Sequence, residues 1–244
     1  MTKTLIAAAV TAVFGSTAVD AATHNPSLRH VFAQRAGSPF HGIVPSGVGV
    51  VLYDQFVNAT TNAVFVDDST SSSDSYDSEG ADDFIVPAGG WTVQQFNFQG
   101  FASNGAVVNA WSTTSNVFVY PDNAGTPATA PECTYNGVAD TYNSTTTVIS
   151  VNLPTPCVLA AGKHWVGLQA VANFTVDGLS YFWAGSSPVA NSGAVWRNPG
   201  NATGFGCTTF TAVGNCSAGA DPDFAFQVLG NITTPVRLQE FSVD

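Results

Sequence analysis

Seven carboxylates, Asp67, Asp68, Asp74, Asp77, Glu79, Asp82 and Asp83, fall within seventeen consecutive residues of a chain that has only seventeen in all. No Lys or Arg interrupts them. A hard cation gathers about six to eight oxygens at one point, and a stretch rich in Asp, Glu, Ser and backbone carbonyls can supply them. Asp77, Glu79, Asp82 and Asp83 are therefore expected as calcium ligands beside the turn residue Gly80. Asp221 and Asp223 precede the apolar run 224–229 much as Asp82 and Asp83 precede 84–86, so the two pairs converge, and Asp223 joins the set, if the two strands are neighbours. The spacing is not that of an EF-hand. Two plainer readings compete with it: a solvated acidic loop, and Asp82 or Asp83 capping backbone amides at a strand start.

A second chemistry is offered by indoles in polar surroundings. Sugar rings stack on aromatic faces while amides and charged groups take their hydroxyls. Trp111, in NAWSTTSN, and Trp196 beside Arg197, in AVWRNPGN, are the candidate sugar-binding residues. The competing reading packs both rings in a core. Catalytic signatures are missing: the chain has no GxSxG elbow, HExxH helix or phosphate-binding glycine loop. His164, next to Trp165, reads as a structural, hydrogen-bonded histidine. No pair among Asp54, Asp122, Asp140, Asp177 and Asp221 is singled out for glycoside hydrolysis.

The elements that must position these groups are strands. Residues 145–153 alternate, with Thr147, Ile149, Val151 and Leu153 on one face and Thr146, Val148, Ser150 and Asn152 on the other. Further strands are expected over 48–57, 63–66, 84–86, 91–98, 116–120, 164–170, 179–183, 224–229 and 236–243. Gly, Pro, Asn and Ser separate them, and no stretch after the first twenty residues keeps a helical period. About ten short antiparallel strands predict an all-β fold, a two-sheet, jelly-roll-like β-sandwich.

Residues 1–21 read as a secretory signal: Lys3, then the apolar run 5–14, then small residues at 19 and 21. A cut after Ala18 would serve nearly as well. Residues 22–45 are expected to form an N-terminal arm, and 46–244 a single domain released outside the cell. In an exported chain Cys133, Cys157, Cys207 and Cys216 are expected to form two disulfides. Pairing 133 with 157 and 207 with 216 is the simplest of the three connectivities. A net charge of −11, with six Lys and Arg, opposes binding to nucleic acid or to anionic lipid. No apolar run after the signal is long enough to insert into a membrane.

The segments Ala81-Asp82-Asp83-Phe84, Gly90-Trp91-Thr92-Val93, 117–120 with 122–127, 162–167, 194–200 and Asp223-Phe224-Ala225-Phe226 resemble a set of uncharacterised bacterial exported proteins. Those are single jelly-roll-like domains, often carried beside surface-sorting tails, and the likeness runs from about Val48 onward. It implies export and a β-sandwich, and no known activity. The sequence departs from those in showing no sorting helix with a basic tail, so release and not anchoring is expected. The function expected is a non-catalytic module binding a polysaccharide or another extracellular component, with a structural calcium. A polysaccharide-acting enzyme and a structural or adhesion module are the alternatives.

Overall fold

The computed structural model describes residues 32–34, 49–69, 74–102, 114–172 and 180–233. The expected signal, most of the arm, the strand over 236–243 and Trp111 lie outside the described residues. Among the described residues there are fifteen strands, and the chain is all-β. In chain order they are β1 (Phe32–Gln34), β2 (Val50–Asp54), β3 (Ala59–Phe65), β4 (Asp67–Ser69), β5 (Glu79–Val86), β6 (Trp91–Ala102), β7 (Thr114–Pro121) and β8 (Cys133–Asn143). There follow β9 (Val148–Leu159), β10 (Gly162–Ala172), β11 (Tyr181–Ser186), β12 (Val195–Arg197), β13 (Thr211–Ala212), β14 (Asp223–Phe224) and β15 (Phe226–Ile232). β1, β4, β12, β13 and β14 have only two or three residues, which leaves ten longer strands.

The strands form one curled sheet in the order β1-β3-β11-β6-β9-β8-β7-β10-β5-β12-β13, with β15 and β2 added along β6. Curling brings β5, β7 and β10 over β6, β9 and β15, which gives the two layers of a β-sandwich. β8 carries the sheet from one layer to the other: its first half pairs with β7 and its last four residues with β9. All pairings are antiparallel except that of β4 with β10. The acidic stretch is thus not a loop throughout, since Asp67–Ser69 and Glu79–Val86 are both strands.

Period-two alternation delivers the core. Phe84 of β5 meets Trp91 and Phe96 of β6 and Phe226 of β15, with ring centroids 5.9, 6.5 and 6.3 Å away. Trp183 stacks on Phe224 at 4.4 Å, meets Phe98 edge-on, and donates its indole N–H to the Ala225 carbonyl at 2.8 Å. The turn between β5 and β6 uses Gly89 and Gly90 at φ of 105° and 75°, a region that costs a side chain but not glycine. Its closing bond runs from Gly90 N–H to the Pro87 carbonyl, at 3.1 Å.

Of the strand predicted over 145–153, Ile149 and Val151 face the core as expected. The strand begins only at Val148, because Thr147 is held at φ 58° in a turn whose amides bond Asn143. Two disulfides close the fold, Cys133 with Cys157 between β8 and β9, and Cys207 with Cys216 at the helical turn Val213–Cys216. Each contributes about 3 kcal/mol in the chain-entropy account, and together they fit an oxidising, extracellular compartment. No described helix is long and apolar enough to cross a membrane.

Candidate functional site on strand β5

β5 carries its carboxylates inside the protein, and alternation sends them to opposite faces. Glu79, Ala81 and Asp83 point to the outer side of the sheet, whereas Asp82 and Phe84 point to the core. On the outer side a small second cluster forms from Ala81, Tyr120, Trp165 and Val195, with Phe118 and Phe210 half-buried against it. Glu79 sits at its edge. Its Oε2 accepts from Arg197 Nη2 at 2.5 Å and Nε at 3.1 Å, and its Oε1 accepts from the Tyr120 hydroxyl at 2.8 Å. Gly167 of β10 makes room for this carboxylate, since a Cβ there would run into Glu79 Oε1 and the Tyr120 ring. Burial raises the Glu79 carboxyl above its ordinary range, against the pull of Arg197.

Asp83, further along the same face, pairs with Lys163 Nζ at 3.0 Å and accepts the Ser192 amide at 3.1 and 3.2 Å. Burial raises its carboxyl too, opposed by Lys163. Trp165 donates its indole N–H to Asp122 Oδ1 at 2.9 Å. The guanidinium of Arg197 lies 4.2 Å over the Phe210 ring, a cation–π arrangement.

On the core side Asp82 accepts three hydrogen bonds. Oδ2 takes the Phe224 amide at 2.7 Å and Gln55 Nε2 at 3.2 Å, and Oδ1 takes the Asp83 amide at 2.8 Å. The Phe224 bond brings Asp223 alongside, whose Oδ2 accepts the Ala190 amide. Burial and the neighbouring Asp223 push the Asp82 carboxyl well above its ordinary range. Asp223 is pushed up to about 6, by burial first and then by Asp83, against its amide donors. The Tyr53 hydroxyl is raised by burial and by the charges of Asp82, Asp83 and Asp223.

The five expected calcium ligands are therefore divided. Of the two Asp pairs only Asp82 and Asp223 lie side by side, since Asp83 is on the outer face and Asp221 accepts the Thr60 hydroxyl. Glu79 and Asp83 belong to the other face and are committed to Arg197 and Lys163. Asp77 accepts the Ser69 amide through Oδ1 at 2.8 Å, and its carbonyl takes Asn198 Nδ2 at 2.8 Å. Among the described residues no group of three His, Cys, Asp or Glu side chains draws close enough to hold a metal ion.

Trp196 also departs from expectation. In β12 the outward positions are Val195 and Arg197, so the indole between them turns into the core, fully buried, and donates to the Phe65 carbonyl at 2.8 Å. It offers no face to a sugar. Arg197 remains on the outer face with its side chain 31% exposed. The aromatic residues that are reachable there, Phe118 and Phe210, were not anticipated. The available signal was Asn116–Tyr120, in which Val117 and Val119 take the core and leave Phe118 pointing outward. His164 is the structural histidine expected: Nδ1 meets Glu132 Oε1 at 2.5 Å and Nε2 meets the Ala160 carbonyl at 2.9 Å.

No protein-family model, no curated protein and no solved structure matches this chain. Membership in the exported family that its motifs resemble is thus without support, and the all-β fold is the part of that resemblance the structure carries.

Proposed function

We propose that the chain is an exported, non-catalytic β-sandwich module that binds a glycan on the outer face of β7, β10, β5 and β12. The observation that carries this reading is the row Phe118–Tyr120–Phe210–Arg197 on that face. Successive ring centroids lie 6.1 and 5.6 Å apart, and Arg197 caps the end of the row. The outside of a sandwich layer ordinarily carries polar side chains. Phe118 and Phe210 are half-buried there with the buried Tyr120 ring between them, and with the guanidinium and the exposed Asp122 they supply stacking faces and charged groups for sugar hydroxyls. The buried carboxylates take no part, since all are enclosed by protein groups.

The test is retention on a panel of insoluble polysaccharides. The unaltered protein should be held by at least one polymer, and Phe118→Ala and Phe210→Ala should each weaken retention about tenfold while the melting transition survives. Retention on no polymer, or retention indifferent to both substitutions, sinks the proposal. Release of reducing ends would move the assignment to a polysaccharide-acting enzyme, and self-association without any polymer to an adhesion module.

A further inference from the structure

Four carboxylates, Glu79, Asp82, Asp83 and Asp223, are buried around β5. Lys163 and Arg197 are the only Lys or Arg among the described residues, and both are committed to the outer face, to Asp83 and Glu79. Asp82 and Asp223 are both 0% exposed and have no cationic side chain bonded to them among the described residues. Two adjacent buried charges of one sign are strongly unfavourable unless something neutralises them.

Residues linked to this pair carry oxygen atoms with no partner among the described residues. Asp223 Oδ1, Gln55 Oε1 and Ser186 Oγ are buried and have no hydrogen-bond partner among the described residues. Gln55 is anchored at Asp82 through Nε2, which keeps its carbonyl oxygen beside that carboxylate. Ser186 of β11 is the cross-strand partner of Asp223. Asp82 Oδ1 accepts only one bond and retains a lone pair. A single shared proton would neutralise one carboxylate and leave the amide and hydroxyl oxygens as they are. A divalent cation neutralises both and satisfies all of them, and a donor set made only of oxygen selects a hard ion.

We infer that Asp82 and Asp223 hold one buried calcium ion between them, with the Gln55 carbonyl and the Ser186 hydroxyl completing the protein's share of the oxygen shell. The ion ties four segments distant in sequence, so its binding free energy is added to folding. The acidic stretch 67–77 takes no part.

The experiment strips the purified protein with a chelator, removes the chelator, and titrates calcium alone, following bound metal, heat and the melting temperature. One calcium per chain is expected, with a melting temperature that climbs with calcium concentration and climbs less with magnesium. Asp223→Asn should weaken binding at least a hundredfold. Ser186→Ala, which removes one small oxygen and leaves the fold intact, should weaken it several-fold, and Asp77→Asn should leave it unchanged. The inference is overturned if the unaltered protein takes up no calcium at millimolar concentration, since the pair then holds a proton. It is equally overturned if uptake survives both Asp223→Asn and Ser186→Ala, or is lost in Asp77→Asn. Polysaccharide retention is not read in this experiment, so its outcome is independent of the glycan assignment.

Discussion

The two faces of β5 solve the same problem differently. On the outer face each buried carboxylate meets a cation contributed from far along the chain, Arg197 for Glu79 and Lys163 for Asp83. On the inner face Asp82 meets backbone amides, an amide side chain and a second carboxylate. The difference follows from access to water. Lys163 and Arg197 keep 26% and 31% of their side chains exposed, so each delivers its charge while remaining partly hydrated. The inner face is sealed by Phe84, Phe224 and Phe226, and a long cationic side chain entering there would lose its hydration entirely.

That contrast can be broken most forcefully at Arg197. Arg197→Ala leaves Glu79 buried without a counter-charge and should cost about 3 kcal/mol in denaturant unfolding; a loss below about 1 kcal/mol would mean that Glu79 takes a proton at little cost. Asp140 sharpens the comparison, because it is an inner carboxylate with neither a cation nor a second carboxylate bonded to it among the described residues. It accepts the Ser115 hydroxyl at 2.6 Å, and burial pushes it up to about 6.

A carboxyl raised in the folded state favours folding below its unfolded value, near 4, and loses that contribution as pH rises through the folded value. Asp140 alone should therefore lower stability by about 2–3 kcal/mol between pH 4 and pH 7. Melts of Asp140→Asn across this range should show a shallower decline than the unaltered protein, and equal slopes would refute the assignment. Gly167→Ala tests the room made for Glu79: the added methyl displaces the carboxylate from Arg197 at a cost of about 2 kcal/mol. The smallest effect is expected from Lys163→Met, about 1 kcal/mol by denaturant unfolding, because the Ser192 amide stays on Asp83.

Local pattern made most of the fold legible. The apolar runs at 91–98, 116–120 and 164–170 all lie inside observed strands, β6, β7 and β10. β8 escaped notice because much of its length is exposed and polar, so its residues give no apolar rhythm. The site was legible only in part. A density of Asp and Glu ordinarily means a solvated loop, and what converts residues 79–83 into a buried strand is the arrival of Lys163, Arg197 and Tyr120 from elsewhere in the chain. Nothing near Asp82 in sequence announces Gln55, Ser186 or the Phe224 amide. The one long-range relation that could be read was the echo of 82–83 at 221–223, and it rested on equivalent positions before two core strands. Trp196 has polar neighbours in sequence, but the alternation of β12 turns its ring inward all the same.

Strand β5 has a further property that follows from its position. β12 covers its flank only at Glu79–Ala81, so from Asp82 to Val86 no strand among the described residues lies on that side. Residues 187–194 run there instead, tied down by the Ser192 amide on Asp83 and the Ala190 amide on Asp223. A bare strand edge is a template on which another molecule can add a strand, and Ile85, 44% exposed, would make this one adhesive. The tethered segment occupies the edge without extending the sheet, and Pro188 within it has no amide to offer a newcomer. The aspartates that hold that segment down thus help keep this edge covered.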